Sequence, residues 1–109
     1  MDKSCGWKAW PAKKQIVANI YTTIQRKVNQ DKFDFSDHSL KELAAEKFKL
    51  ADAVKVILAP HNRYPYTDDK SHNRYAFEGY LKDGRMLRVI VFIYQDRVQI
   101  KTAYEIFEV

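Results

Sequence analysis

Residues 74–106, RYAFEGYLKDGRMLRVIVFIYQDRVQIKTAYEI, decide the fold. Three segments in this stretch, Arg74–Lys82, Arg85–Tyr94 and Arg97–Ile106, are rich in β-branched and aromatic residues. Such side chains fit a pleated, half-buried surface. Asp83-Gly84 separates the first pair and Gln95-Asp96 the second. Asp-Gly is a strong hairpin signal, because a type I′ turn needs positive φ at both central residues. The spacing therefore predicts an antiparallel meander from about residue 74 to 107. Two-residue turns would set residue 82 opposite 85 and residue 94 opposite 97. That register puts Tyr80, Leu87 and Tyr104 in one row and Glu78, Val89 and Thr102 in the next. Arg74, Ile93 and Val98 follow on the same face. Phe77, Arg88, Ile90, Phe92 and Lys101 fall on the other. The middle strand is apolar on both faces, so it is expected to be central and covered on both sides. One end of one face turns polar and aromatic at Glu78, Tyr80, Thr102 and Tyr104.

Upstream the period changes. Ile16, Val17, Ile20, Tyr21, Ile24 and Val28 recur at helical spacing after Pro11, which suits the first turn of a helix. Asn29–Asp34 reads as a polar break. Ser36 or Asp37 is a good N-cap for a second helix to about Lys47, with Leu40, Leu43, Ala44 and Phe48 as its buried arc. His38, Lys41, Glu42 and Ala45 lie off that arc. A short third helix, about Asp52–Leu58, ends at Pro60. His61–Asn73 is the longest expected loop. The expected fold class is α+β: two to three N-terminal helices, within about 11–58, packed on a C-terminal antiparallel β-meander of three to four strands. The 109 residues suit one domain, 1–109, with a core of its own.

Composition narrows the function classes. With one cysteine, Cys5, no intramolecular disulfide can form, and a reducing compartment is the simplest fit. His38, His61 and His72 lie in separate segments with no metal-ligand spacing, so neither a metal nor another cofactor is expected. Met1–Trp10 has no apolar run, and Val89–Tyr94, the longest such run, is far short of a membrane span. A cytoplasmic site of action without signal peptide or transmembrane segment is the expectation. Net charge is +5, and residues 1–30 alone carry six Lys/Arg against one acid. An anionic partner such as RNA suits that balance, as does a merely solvated basic helix.

The candidate chemistry is a constellation rather than a motif. His38 opens a helix, and the positive end of a helix favours a neutral imidazole that can accept a proton. Its plainer reading is an exposed residue with no role. Arg74 and Arg88 can clamp a phosphate bidentately. Arg85, beside the turn, reads more simply as edge decoration. Thr102 and Tyr104 offer hydroxyls on one strand face, or are there for β-propensity. Glu78, on an apolar strand, either pairs with an arginine or faces a cleft.

Taken in order, Phe35-Ser36-Asp37-His38, Leu40–Leu43, Ala53-Val54 and Val56-Ile57 resemble the opening of a known family. Arg74–Gly79, Asp83–Val89 and Ile100–Tyr104 continue the likeness. The pattern, covering about 33–104, resembles the small RNase-toxin superfamily that groups barnase, EndoU, colicin RNase and RelE-type domains, its phage-borne and polymorphic-toxin branches above all. The resemblance implies helices on a curved antiparallel sheet and a metal-independent ribonuclease site in the sheet's cleft. His38 matches the helix-start histidine, Thr102 and Tyr104 the hydroxyl residues of the last strand, and Arg74 or Arg88 the basic residue. On this reading His38, Arg88, Thr102 and Tyr104 are catalytic, and Arg74, Glu78, Tyr80 and Lys101 bind substrate. The implied partners are single-stranded RNA or a tRNA loop, and a cognate antitoxin or immunity protein. The alternative is a non-catalytic phage or mobile-element module that binds protein or RNA.

Overall fold

The structure, a computed structural model, describes residues 19–66 and 73–107. Its elements in chain order are α1 (Ile20–Asn29), β1 (Phe33–Phe35), α2 (Asp37–Ala45), α3 (Leu50–Leu58), β2 (Asn62–Pro65), β3 (Arg74–Tyr80), β4 (Met86–Ile93) and β5 (Val98–Ile106). The class is α+β; the described residues form three helices and one five-stranded mixed sheet in the order β1-β5-β4-β3-β2. The expected meander is there as β3-β4-β5, with β4 central.

Two strands were not expected. Asn62–Pro65, inside the predicted loop, pairs antiparallel with β3. Phe33–Phe35, partly inside the predicted polar break, pairs parallel with β5, so the sheet is not purely antiparallel. Parallel pairing across some sixty residues leaves no local signature, and three residues are too few to show a period.

α1 keeps the predicted arc. Asn19 caps it by accepting from the Thr22 amide. Ile24 and Val28 are buried, with Ile20 and Tyr21 packed beside them. Arg26 and Lys27 in its last turn complement the helix dipole. The predicted helix start at Pro11, with Ile16 and Val17, lies outside the described residues, as do Cys5 and His72. α3 buries Ala53, Val56 and Ile57 against the sheet. The helices cover one sheet face, where Phe77, Leu87, Val89, Val91, Val98, Ile100 and Ala103 form the core. No helix among the described residues is long and apolar enough to cross a membrane.

α2 departs from its predicted arc. Leu40 is 38% exposed and Ala44 is exposed, whereas Ser39 and Leu43 face inward. The cause is what α2 covers. β1 ends at Phe35, opposite Ile100, and beyond it β5 would have a bare edge. Side chains in and flanking α2 take its place. Ser36 Oγ donates to the Lys101 carbonyl, Glu42 Oε1 accepts from the Ala103 amide at 2.9 Å, and Glu46 Oε1 accepts from the Glu105 amide at 2.7 Å. Unpaired strand groups need partners, so a helix on a strand edge turns polar residues inward.

The strand register also differs from expectation, at two places. Leu81 N donates to Arg85 O and Gly84 N to Leu81 O, so the β3-β4 turn holds three residues, Lys82-Asp83-Gly84, with Gly84 at φ 91°. Tyr80 then pairs with Met86 instead of Leu87. The β4-β5 turn follows prediction, since Tyr94 N donates to Arg97 O. A bulge between Ile90 and Val91 then shifts the pairing, so Thr102 faces Ile90 and Tyr104 faces Arg88. A one-residue slip exchanges the faces of a strand. Leu87 and Val89 move to the helix side, and Arg88 and Ile90 join Glu78 and Tyr104 on the opposite face.

Candidate functional site

The corrected register lines up Asn62, Glu78, Arg88 and Tyr104 across β2-β3-β4-β5 on the face turned away from the helices. Arg88 is the hub. Its Nε donates to Glu78 Oε2 at 2.8 Å and its Nη1 to the Tyr104 hydroxyl at 3.0 Å. Tyr64 donates its hydroxyl proton to the same Glu78 oxygen at 2.5 Å, and Asn62 Nδ2 approaches the other at 3.5 Å. Glu78 thus pairs with an arginine, one of its two readings, and is buried. Nη2 of Arg88 has no partner among the described residues, and the side chain is 28% exposed.

The electrostatics agree with this geometry. Burial works against the Glu78 carboxylate, but hydrogen bonds from Tyr64 and Arg88 outweigh it and hold its pKa below the usual range. Burial disfavours the Arg88 cation, yet contact with Tyr104 and Glu78 raises its pKa and keeps the charge fixed. The Tyr64 phenol is pushed up to about 12, by burial first and by its bond to Glu78 next. The fold therefore favours neutral Tyr64. The stability this contributes is complete below the unfolded phenol's pKa of about 10 and is lost as pH rises through about 12. In a spectrophotometric titration, the difference between wild type and Tyr64→Phe should show one phenol ionising near pH 12. A difference curve centred near 10 would break the link to Glu78.

A second network meets β5 from the edge. Ser36 caps α2, its Oγ accepting from the Ser39 amide at 3.1 Å. His38 follows in the first turn, 68% exposed, with Nε2 3.3 Å from Oε2 of Glu42 one turn later. The other oxygen of Glu42 accepts from the Thr102 hydroxyl as well as from the Ala103 amide. His38 and Thr102 are therefore joined through one carboxylate. Thr102 and Tyr104 alternate onto the same face of β5, about 7 Å apart along the strand. Buried Ala76 and Ile90 pair across β3 and β4, one row from Glu78 and Arg88, and give the face an apolar floor.

The remaining predicted residues lie around this centre. Lys101, at the bulged part of β5, bonds Gln99 Oε1 at 2.9 Å and lies 5.7 Å from the Phe92 ring centroid. Tyr80, half-exposed, meets His61 edge-on at 5.4 Å, one row beyond Glu78. Arg74 pairs with Phe92 at the other end of β3, about 13 Å from Glu78 along the strand. Arg88 rather than Arg74 is thus the arginine that contacts Tyr104. Two residues escaped the sequence reading. Glu42 was placed away from the packed side, although its i,i+4 spacing from His38 was a usable signal. Tyr64 was hidden in the presumed loop.

The family model for a domain of unknown function, DUF4258, matches residues 35–105. The chain belongs to the DUF4258 family. The match leaves out α1 and takes in His38, Glu42, Tyr64 and the whole Glu78-Arg88-Tyr104 row. The DUF4258 region therefore carries both networks. No curated protein and no solved structure matches the chain. Among the described residues of this DUF4258 protein, no group of three or more His, Cys, Asp or Glu is placed to hold a metal ion.

Proposed function

We propose that this protein is a metal-independent endoribonuclease that cuts single-stranded RNA by transesterification, in the manner of a toxin domain. The observation that carries the reading is that the exposed His38 pairs with Glu42, which bonds Thr102 on β5, two residues before the Tyr104 that Arg88 contacts. With the Nε2 proton turned to Glu42, Nδ1 of His38 is left to accept the proton of a ribose 2′-OH. The 2′-oxygen forms a bond to phosphorus as the bond to the 5′-oxygen breaks, giving a 2′,3′-cyclic phosphate. Arg88, through its Nη2, neutralises charge on the phosphorane. The Tyr104 oxygen accepts from Arg88, so its own proton can go to the leaving 5′-oxygen. Thr102 commits its proton to Glu42 and acts as a positioning residue. Single-stranded substrate suits the aromatic rim, because splayed bases stack on rings such as Tyr80. The test is a denaturing gel of RNA incubated with the protein in EDTA. Discrete cut fragments are expected, and intact RNA would contradict the reading.

A further inference from the structure

A groove of about 300 Å³ lies where the β3-β4 turn meets the α2-α3 connection, on the helix side of the sheet. Its lining includes Lys47, Lys49, Lys55, Lys82 and Arg85, against the two carboxylates Asp52 and Asp83. Both carboxylates are engaged locally. Asp52 accepts from the Lys49 amide at 2.9 Å, and Asp83 accepts from the Arg85 amide and Nε at 3.0 and 2.8 Å. Arg85 is no edge decoration. Its Nη1 donates to the Glu46 carbonyl at 2.8 Å, Nη2 to that of Lys47 at 3.3 Å, and its guanidinium lies 4.0 Å from the centroid of the Phe48 ring. It staples the hairpin to the α2-α3 connection and fixes the groove walls.

The four lysines behave differently. None of their ammonium groups forms an ion pair with a carboxylate among the described residues. All four are exposed, and the five cations of the lining outnumber its two carboxylates, so the groove gathers a net positive charge. Lys47 also adopts φ 61°, just after α2, where glycine is the least strained residue. A lysine there retains its charge at a backbone cost. The groove has lysine point charges and no free arginine fork, which suits phosphates bound without regard to base.

We propose that this groove is a second RNA-binding site, which holds a backbone phosphate of the substrate away from the point of cleavage. The proposal rests on the ribonuclease reading for its substrate class. Position supports it, because the groove and the site share the β3-β4 hairpin. Leu81 in the groove lies three residues from Glu78 in the site, about 10 Å along the strand. One RNA strand passing round the hairpin tip would meet both. The groove would then raise affinity for long substrates and leave the chemical step alone.

The experiment compares wild type with the combined variant Lys47→Gln, Lys49→Gln, Lys55→Gln and Lys82→Gln. Binding of a fluorescent single-stranded oligonucleotide is followed by anisotropy across a salt series, with both proteins also carrying His38→Ala. The groove variant should bind at least tenfold more weakly, and its plot of log K against log salt should flatten by about 0.7 for each phosphate that is no longer neutralised. In the active proteins, KM for the long substrate should rise with kcat unchanged, and cleavage of a dinucleotide should not change. Lys47→Gly alone should weaken binding without lowering the melting temperature, which separates ligand binding from folding. Equal affinity and equal salt slope would overturn the proposal, as would weakened binding of polyglutamate alone, which would assign the groove to an acidic protein. The anisotropy needs no catalysis, so it remains decisive if the ribonuclease reading fails.

Discussion

His38→Ala should abolish RNA cleavage, lowering the rate by about 10²–10⁴-fold, while leaving the fold untouched. The size follows from the role. Removing a general base leaves the 2′-OH protonated at the moment of attack, and the Glu42 carboxylate is left with no imidazole to orient. The absence of a stability effect follows from exposure. The ring is 68% exposed, and its one described polar contact is the 3.3 Å approach to Glu42. An exposed substitution of this kind changes stability by no more than about 0.5 kcal/mol. Cleavage on a denaturing gel and a thermal melt, made on the same preparation, check both halves. Full activity in His38→Ala removes His38 from the mechanism. Lost activity together with a lowered melting temperature shows that the residue supports structure instead.

Glu78→Ala should have the largest effect on stability, about 2–3 kcal/mol. The carboxylate sits 8% exposed beneath Arg88 and takes bonds from Arg88 and Tyr64. Its loss leaves a guanidinium and a phenol facing an apolar floor without their acceptor. Breaking a fully buried pair costs about 3–5 kcal/mol, and the figure is reduced here because Arg88 keeps contact with water. Urea unfolding at neutral pH measures it. The pH dependence has a definite sign. The folded pKa of Glu78 is depressed, so its stabilisation is present above the unfolded glutamate pKa of about 4.3 and is lost as pH falls through the folded value. Wild type and Glu78→Ala should therefore converge in stability on acidification. Arg88→Ala should be less than additive with Glu78→Ala, since the two share one interaction. Equal unfolding midpoints for wild type and Glu78→Ala at neutral pH would show that the row contributes little to holding the sheet.

Much of this architecture was legible in the residues, because it rests on local patterns. The α1 arc at Ile20, Tyr21, Ile24 and Val28, the Ser36 cap and the β-branched runs of β3, β4 and β5 all depend on neighbours in sequence. What was not legible depends on pairing at a distance. Asp83-Gly84 suits a two-residue or a three-residue turn equally well, and only the closed hydrogen bonds at Leu81, Gly84 and Arg85 decide between them. The bulge between Ile90 and Val91 has no residue signature. Those two single-residue shifts hid the meeting of Glu78, Arg88 and Tyr104, which the two-residue register had split between opposite faces. The same limit applies to α2. Its hydrophobic pattern pointed Leu40 inward, but its task is to satisfy the edge of β5, and that edge exists only once the sheet has formed.

The 3′ end of the cleaved RNA reports most directly on the proposed chemistry at phosphorus. A defined single-stranded oligonucleotide is incubated with the wild-type protein in EDTA, and the product mass is measured. The upstream fragment should end in a 2′,3′-cyclic phosphate, with no cut where a 2′-deoxy sugar replaces the ribose. A free 3′-hydroxyl on that fragment, or equal cleavage at the deoxy position, would contradict that chemistry.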